Sequence, residues 1–443
     1  MKIPTTPPKL KHLIQQTEIN KLRQILTGHF TPTDTKNRYL HWDKLQHLTP
    51  PQGFTSKDYW IGTKLARQAL YQELPLFDKY QNPFRLALPD CVLKKLYWIE
   101  QNMKGGWRDN ILGHPQTKKS YLLNALIEEA TSSSQIEGAS TTRRIAKEML
   151  RQGRKPKDRS EQMIFNNYHA MQFIQDYKNE PLTPTIIFEL HRIITEGTLE
   201  NPSAAGQFRT PSDDIHVVNV QLSQTLHTPP HAEELPKRLQ HFCQFANNED
   251  LPMFIPPILK AIVLHFMLAY DHPFVDGNGR TARAIFYWAI IKQDYWLMEF
   301  ISISRIIKQA LGQYGRSFLY TETDDNDLTY FIIHQLSVLE KAIVQFHHHL
   351  EQKRANLENV EQLIEPTKIA RQLNYRQLAL LEHALKNPGA TYTISAHQKT
   401  YGISYETARQ DLLKMANNLQ LLRQRKVGKS MIFVSPSDLE QRL

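Results

Sequence analysis

One short segment gathers most of the side chains in this sequence that could do chemistry together. Residues 272–283 read His-Pro-Phe-Val-Asp-Gly-Asn-Gly-Arg-Thr-Ala-Arg. Histidine can act as a general base near neutral pH, because its ordinary pKa is about 6.5. The aspartate offers the hard oxygen ligand that Mg²⁺ prefers, and glycine-rich turns and arginines bind phosphate oxygens. The segment therefore predicts a loop that holds a nucleoside triphosphate while a base activates an incoming hydroxyl.

Two helices are predicted to position this loop. The apolar stretch 257–270 has the length of a buried helix. Pro273 should end it, because the residue before a proline is pushed out of the helical region. A second helix is expected to begin near Arg280, which then shares one face with Arg283. Two arginines there oppose the helix dipole, a cost that makes sense if an anion binds at this helix N-terminus.

The backbone of the loop is expected to depend on its glycines. Gly277 and Gly279 can take backbone angles that are closed to other residues. A histidine, a Gly-x-Gly or a pair of arginines is ordinary when it occurs alone, as a core residue, a turn or a solvated face. Their occurrence together in one uninterrupted stretch favours a functional loop.

Residues His272 to Arg283 resemble the signature of the Fic (filamentation induced by cAMP) domain family, H-x-F-x-[DE]-G-N-G-R-x-x-R, at every fixed position. Members of that family transfer AMP from ATP to a Ser, Thr or Tyr hydroxyl of a target protein. The resemblance implies that His272 is the catalytic general base and that Phe274 anchors the loop. It also implies that Asp276 binds Mg²⁺, while the glycine turn surrounds the α-phosphate and the arginines hold the β- and γ-phosphates. The ATP-binding residues implied in this way are Asp276, Gly277, Asn278, Gly279, Arg280, Thr281, Ala282 and Arg283, with Tyr314 on the adenine side.

The Doc-type kinases of the same superfamily usually carry lysine at the position of Gly279. The glycine therefore favours adenylylation over phosphorylation, while UTP or GTP remain open as donors.

A second segment, 131–138, reads Thr-Ser-Ser-Ser-Gln-Ile-Glu-Gly and follows a helical run. From the residues alone, Gly138 is a helix C-cap, and Glu137 is an exposed glutamate at the unfavourable end of the helix dipole. The segment resembles the Fic inhibitory motif [ST]-x-x-x-E-[GN], with Ser133, Glu137 and Gly138 at the fixed positions. The resemblance implies that Glu137 pairs with Arg283 and keeps the γ-phosphate from seating productively. In some relatives the same glutamate supports removal of AMP, so net AMP removal is an alternative.

A third segment, 205–219, resembles the Fic flap, the hairpin that holds the target. Its residues Ile215, His216, Val217 and Val218 are rich in β-formers and predict a short hairpin. The edge of such a hairpin can hold a target segment by strand addition. An ordinary surface hairpin is the alternative.

The C-terminal segment 373–443 predicts helices separated by a Gly402 turn and followed by a hairpin with the basic tip 426–429. This order resembles a winged helix-turn-helix. Ser404 is a good N-cap for its recognition helix, and phosphate and base contacts along that helix would bind DNA. Protein docking is the other interpretation, since winged helices also serve as docking units. The residues expected on the exposed face of the helix are Tyr405, Thr407, Arg409 and Gln410.

Composition places bounds on the class of protein. A chain of 443 residues is too long to fold around one compact core. Its 41% hydrophobic and 22% charged residues are ordinary for a globular protein. The longest apolar run, 261–270, is too short to span a membrane, and the N-terminus lacks the apolar core of a signal peptide. Cys91 and Cys243 lie far apart without metal-ligand spacing, which favours a reducing compartment. We therefore expect a cytoplasmic protein; secretion into a host without an N-terminal signal is also compatible.

The predicted fold class is mainly α: a Fic helical core with a short β-hairpin flap, plus a C-terminal winged helix-turn-helix of α+β type. The predicted divisions are an N-terminal helical region (1–117), the inhibitory helix and Fic core (118–356), a linker (357–372) and the winged helix (373–443). The expected function is protein adenylylation with ATP and Mg²⁺, and the alternative is an ATP-sensing DNA-binding regulator. The expected partners are a target protein with an exposed hydroxyl, DNA through 373–443 and a second copy of the chain, with no membrane.

Overall fold

The computed structural model describes residues 3–104, 115–219, 223–248, 253–364, 369, 372–427 and 430–443. The fold is mainly α-helical with short strands, as predicted. The elements of the N-terminal region are α1 (Leu10–Gln16), α2 (Ile19–Thr27), α3 (Trp42–Leu45), α4 (Ser56–Gln68), β1 (Tyr71–Phe77), β2 (Pro83–Ala87) and α5 (Asp90–Lys104).

The region predicted as helical also contains two strands, because β1 and β2 form an antiparallel hairpin. The hairpin turns where the Asp78 carboxylate accepts hydrogen bonds from the backbone of Tyr80 and Asn82, each at 2.8 Å. Each strand contains a proline, Pro75 in β1 and Pro83 in β2, which in the sequence indicates an interrupted helix. In a two-stranded sheet a proline can occupy an edge or an irregular position, and the register of this hairpin shifts between Glu73 and Phe77.

The central region holds the largest hydrophobic core. Helices α11 and α12 lie at its centre, with nearly every residue buried. The elements of this region are α6 (Pro115–Ile136), α7 (Arg143–Gln152), α8 (Arg159–Asp176), α9 (Pro184–Thr195), β3 (Val217–Asn219), β4 (Gln224–His227), α10 (Leu235–Ala246), α11 (Pro257–Asp271), α12 (Asn278–Ile291), α13 (Ile303–Gln309), α14 (Leu311–Thr323) and α15 (Thr329–Ile364).

The C-terminal elements are α16 (Tyr375–Lys386), β5 (Thr391–Thr393), α17 (Ile394–Tyr401), α18 (Tyr405–Leu413), β6 (Arg423–Val427) and β7 (Ser430–Val434). The strands form one antiparallel sheet in the order β5-β7-β6. Ser404 caps α18 by accepting a hydrogen bond from the backbone N–H of Thr407 at 3.0 Å. The predicted basic tip falls partly on residues 428–429, which lie outside the described residues.

The boundary between the central and C-terminal regions does not begin where the sequence placed it. Helix α15 continues to Ile364, so the predicted linker 357–372 starts inside a helix. The last turns of α15 belong to the C-terminal core, because Val360 and Ile364 pack with Leu381 of α16. One helix therefore joins the two cores.

A buried polar network fastens the N-terminal region to the central one. Lys64 Nζ donates to Asp324 Oδ1 at 2.8 Å, and Arg67 Nη1 donates to the Tyr330 hydroxyl at 2.7 Å. Among the described residues, no helix is both long enough and apolar enough to cross a membrane.

Candidate functional site

The loop between α11 and α12 begins with a strained residue. His272 follows the last residue of α11 and has φ +47° and ψ +56°, in the left-handed region that side-chain-bearing residues rarely adopt. Arg209 holds this geometry from outside the loop. Its Nε donates to the carbonyl of His272 at 2.7 Å, and its backbone N–H donates to that of Pro273 at 2.9 Å. The direction of the His272 side chain is thus fixed by a guanidinium from the segment before β3.

The centre of the loop is held by a buried stack. The Phe274 ring is fully buried and lies parallel to the His191 imidazole, with 3.7 Å between ring centroids. His191 Nδ1 accepts from the backbone N–H of Gly206 at 2.9 Å, so its Nε2 donates to the carbonyl of Asp276 at 2.8 Å. Burial lowers the pKa of His191 to about 4, which keeps the ring neutral.

Asn278 closes the loop on itself. Its amide accepts from the N–H of Phe274 at 2.9 Å and donates to the carbonyl of the same residue at 2.8 Å. These bonds use the side chain of Asn278 to shape the backbone. Its place in the predicted α-phosphate hole can therefore be filled only by its backbone N–H at the start of α12.

The two glycines of the loop serve different purposes. Gly277 has φ +83°, and a Cβ there would lie 2.8 Å from Cγ2 of Thr195. Gly279 lies inside α12 without a positive φ, so the expectation of an unusual backbone angle was wrong for it. A Cβ on Gly279 would instead lie 2.2 Å from Oε1 of Glu137. Space, rather than backbone freedom, requires this second glycine.

Thr281 and Ala282, which are predicted to bind ATP, have fully buried side chains. The Thr281 hydroxyl donates to the carbonyl of Gly277 at 2.9 Å. Thr281 therefore stabilises the turn through this bond, while Ala282 packs in the hydrophobic core.

Arg280 is buried with unused hydrogen-bonding groups. Its side chain is 0% exposed, and its Nη1 donates to the carbonyl of Ile194 at 3.0 Å. Nε and Nη2 have no hydrogen-bond partner among the described residues, and the nearest carboxylate, Asp276 Oδ1, is 3.6 Å from Nη2. Burial lowers the pKa of Arg280. Unpaired buried N–H groups on a cation are unfavourable, and a bound anion would satisfy them.

Arg283, by contrast, is occupied by α6 and the turn that follows it. Its Nε donates to the Ser133 hydroxyl at 2.8 Å, and its Nη2 donates to the Ser133 carbonyl at 3.0 Å. Nη2 also donates to Glu137 Oε1 at 2.8 Å. Burial lowers the pKa of Arg283, but Glu137, Tyr314 and Glu129 together oppose that effect and leave the pKa raised. Gly138 continues the turn with φ +95°.

The predicted base is a neutral imidazole. His272 Nδ1 lies 3.3 Å from the carbonyl of Ala269, so the proton is assigned to Nδ1 and Nε2 is left as an acceptor. Burial lowers the pKa of His272 to about 4, below the ordinary value used in the sequence argument. A neutral ring with a free Nε2 is the form that a general base requires.

Asp276 is the exposed carboxylate of the loop. Its side chain is 43% exposed and lies 3.5 Å from Nη2 of Arg159. Within the described ranges, no cluster of three or more His, Cys, Asp or Glu residues could hold a metal ion. Mg²⁺ often binds one protein carboxylate and takes its other ligands from water and phosphate. Asp276 therefore fits a magnesium ion that arrives with a nucleotide, and not a site built from protein ligands alone.

The remaining predicted residues lie at the margins of this loop. The Tyr314 hydroxyl is 2.8 Å from His265 Nε2. Burial raises the pKa of Tyr314 to about 12, while the neighbouring Arg283 opposes the increase.

In the predicted flap, β3 and β4 form an antiparallel hairpin with a register shift between Val217 and Val218. Ile215 precedes β3, and His216 is exposed, with hydrogen-bonding distances to Thr228 and Asp214 of 3.2 and 3.1 Å.

Comparison with known proteins assigns a family to this part of the chain. Residues 181–290, which include the loop and the hairpin, match the Fic/DOC family model. This segment is a Fic domain. It is 35% identical over 108 residues to protein adenylyltransferase Fic of Nematostella vectensis, which covers 24% of this chain and 22% of that protein. Proteins of the same name from Drosophila erecta and Aedes aegypti are each 30% identical, over 28% and 27% of this chain and 23% and 21% of their own lengths.

The chain thus spans less than a quarter of these curated relatives. Among solved structures, a Fic family protein from Desulfovibrio desulfuricans G20 aligns with 79% of this chain and 97% of its own, with 15% identity and a TM-score of 0.49. Fic-1 of C. elegans aligns with 59% of this chain and 72% of its own, with 19% identity and a TM-score of 0.45.

Three residues that shape the loop of the Fic domain, or lie beside it, could not be recognised from the sequence. Arg209 stands in the segment interpreted only as a flap, and its separation from the loop hid its contact with His272. His191 lies within the apolar helix α9, where a lone histidine gives no signal. Arg159 approaches Asp276 from the first turn of α8, although it lies more than 100 positions earlier in the chain.

Proposed function

We propose that this protein is an adenylyltransferase that transfers AMP from ATP to a Ser, Thr or Tyr hydroxyl of a target protein. The observation that carries the proposal is the Fic loop itself. A neutral His272, a Gly277 turn at a helix N-terminus and the partly unpaired guanidinium of Arg280 lie on one short loop. The relatives named protein adenylyltransferase Fic support the same reaction.

The reaction follows from these groups. The target hydroxyl oxygen attacks the α-phosphorus, and Nε2 of His272 takes the hydroxyl proton. The bond between the α-phosphorus and the bridging oxygen breaks, and pyrophosphate leaves with the electron pair. The N–H groups at the start of α12 and the Arg280 guanidinium stabilise the phosphate charge. Catalysis of this kind depends mainly on positioning and charge stabilisation.

Asp276 is the residue that would hold Mg²⁺, which in such reactions neutralises phosphate charge. Its carboxylate is exposed and accepts a backbone N–H bond from Gly277 at 2.5 Å, which directs Oδ1 into the turn. Nη2 of Arg159 lies 3.5 Å from Oδ2 of Asp276 and must move away before that oxygen can bind a metal.

Glu137 is proposed to restrain the reaction. It occupies Arg283, which the family pattern assigns to the γ-phosphate, and its Oε1 fills the space beside Gly279. A carboxylate at this position could also activate a water molecule. Net removal of AMP from a modified target is therefore the alternative direction of the same chemistry.

The experiment compares full-length variants incubated with labelled ATP and Mg²⁺. Glu137→Gly should raise AMP incorporation into the protein itself, while Glu137→Gly combined with His272→Ala should abolish it. Glu200→Gly, which changes an exposed loop glutamate, is the control and should behave as wild type. Equal labelling with and without His272 would sink the proposal. Loss of label from a premodified protein, dependent on Glu137, would support the alternative direction.

We also propose that residues 373–443 form a winged helix-turn-helix that binds duplex DNA. The observation that favours DNA is β6, in which Arg423, Arg425 and Lys426 are all exposed. The exposed face of α18 adds less charge, because Arg409 is paired with Glu406 at 3.0 Å. A salt-dependent mobility shift that is weakened by Arg425→Glu supports DNA binding. Absence of a shift at low salt favours protein docking instead.

A homodimer and a cytoplasmic location stay predictions of the sequence. Sedimentation of the purified chain over a range of concentrations tests the first. Imaging of a tagged chain in its own cell tests the second.

A further inference from the structure

The helix that carries the inhibitory residues is held at both ends. Its last turn and the following residues contact Arg283 through Ser133 and Glu137. Its first half lies against the C-terminal region, where α17 packs on both α6 and α7. We call residues 372–427 and 430–443 the C-terminal module.

The contact between the module and α6 runs partly through Arg151 of α7. Its Nη2 donates to Oδ1 of Asn124 on α6 at 2.7 Å, and its Nε is buried without a hydrogen-bond partner among the described residues. On the other side lies Tyr401, the last residue of α17, which is 9% exposed. Burial raises the pKa of Tyr401, and the Arg151 guanidinium lowers it, as expected of neighbouring groups. Arg151 therefore joins α7 to α6 by a hydrogen bond, beside the surface on which α17 packs.

Two lysine side chains cover glycines at the same interface. The side chain of Lys119 on α6 covers Gly402, where a Cβ would lie 3.0 Å from Cδ of Lys119. Gly153, at the end of α7, is similarly close to Lys399 of α17, whose Nζ would lie 2.8 Å from a Cβ. Both glycines have positive φ, so a larger residue at either position would strain its turn as well as displace the lysine.

Helices α15 and α16 complete the support. Tyr121 of α6 places its ring edge-on to Phe346 and His349 of α15, with centroid distances of 6.3 and 6.1 Å. Lys353 then ties α15 to α16 through Glu382 at 2.6 Å, and the Glu382 side chain is only 3% exposed. The first half of α6 is thus supported by α15, the helix that also holds α16 of the C-terminal module through Lys353 and Glu382.

The position of α6 depends on this support. Its first turns, Pro-Gln-Thr-Lys-Lys-Ser, are polar, and most of the stability of a protein helix comes from tertiary packing. The helix has 22 residues and spans about 33 Å, so a tilt of one end displaces the other. A displacement of its C-terminal end would separate Glu137 and Ser133 from Arg283.

We propose that the C-terminal module is part of the brake, holding α6 so that Glu137 occupies Arg283. This inference rests on the proposed function and names the regulation of the same site. The module meets α6 and α7 mainly through α17, which leaves the outer faces of α18 and β6 exposed. A partner bound there would act on the brake by moving α17 or α16.

The test uses full-length variants with matched controls. Arg151→Ala and Tyr401→Ala should each raise AMP incorporation about 5-fold or more, the usual scale of coupling between sites. The controls are Arg144→Ala, an exposed arginine of α7, and Tyr97→Ala, an exposed tyrosine of α5, which should both match wild type. In a Glu137→Gly background, Arg151→Ala and Tyr401→Ala should add nothing, because the brake is already absent.

The outcomes separate the two proposals. Activation by Glu137→Gly without activation by Arg151→Ala or Tyr401→Ala overturns this inference alone, and so does additional activation that persists without Glu137. No activation by Glu137→Gly counts against the proposed function. Amide hydrogen exchange of residues 119–136 tests the support independently of activity. Exchange should be faster in Arg151→Ala than in Arg144→Ala, and equal rates in the two overturn the inference.

Discussion

Glu137 and Gly279 meet at the centre of the loop: Oε1 of Glu137 occupies the place where a side chain on Gly279 would begin, 2.2 Å from an ideal Cβ. Gly279 lies in α12 and Glu137 in the turn after α6, and each limits what the other can be. The glycine is therefore required as long as the carboxylate is in place.

Gly279→Ala should destabilise the protein by about 1 kcal/mol, because the methyl group must push the Glu137 side chain away from Arg283. In a Glu137→Gly background the same substitution should cost much less, since the two nearest atoms are then absent and Nη1 of Arg283 lies 3.1 Å from the Cβ. Urea unfolding of the four proteins of this double-mutant cycle measures the difference. Equal costs in both backgrounds would show that the carboxylate does not occupy the space.

The pH dependence of catalysis should reflect the buried state of His272. Its pKa is lowered to about 4 by burial, so the imidazole remains neutral, and able to accept a proton, well below the ordinary pKa of about 6.5. The acid limb of kcat/KM, which reports the free enzyme, should therefore lie near pH 4 and not near pH 6.5.

This profile is best measured with Glu137→Gly and labelled ATP. The Glu137 charge raises the His272 pKa, so removing it moves the limb to still lower pH. A limb centred at about pH 6.5 in this variant would contradict the prediction.

Local features of the sequence predicted the core of the site. The bounds of α11 and α12 follow from an apolar run, a proline and a glycine, all within a few residues of one another. The different environments of Arg280 and Arg283 could not be predicted in the same way. They share a helix face in the sequence, yet Arg283 meets Ser133, which lies 150 positions away, while Arg280 keeps N–H groups unpaired. Only the packing of α6 on α12 separates their environments.

The hairpin of β1 and β2 was missed for a related reason. Leu74 and Leu76 alternate with more exposed residues in the manner of a strand, but Pro75 between them reads as a breaker. The hairpin becomes stable by packing on the central core, to which Leu74, Leu76 and Phe84 belong. Such packing against distant residues cannot be predicted from the 17 residues of the segment alone.

Arg209 should act as a positioning residue for His272. Arg209→Ala removes the hydrogen bond to the His272 carbonyl and frees a backbone held at positive φ. In a Glu137→Gly background we expect kcat to fall about 10- to 100-fold, because small displacements of a reacting group cost this much. The KM for ATP should change little, since Arg209 contacts the base and not the phosphate turn. A rise in KM with unchanged kcat would contradict a positioning role.

Acid should destabilise the fold partly through His191. This imidazole is 0% exposed and its pKa is lowered to about 4, whereas in the unfolded chain it titrates near 6.5. Below about pH 6.5 the unfolded state binds a proton that the folded state does not, so stability is full above that pH and falls as the pH drops towards 4. The loss of stability from this residue should be on the order of 2–3 kcal/mol.

Urea unfolding between about pH 7.5 and about pH 4.5 measures this loss in wild type and in His191→Gln. The glutamine can still donate to the Asp276 carbonyl but cannot titrate. Other buried histidines titrate in both proteins. The quantity to compare is therefore the difference between the two proteins in the slope of unfolding free energy against pH. Parallel slopes would mean that His191 is protonated as easily in the folded chain as in the unfolded one.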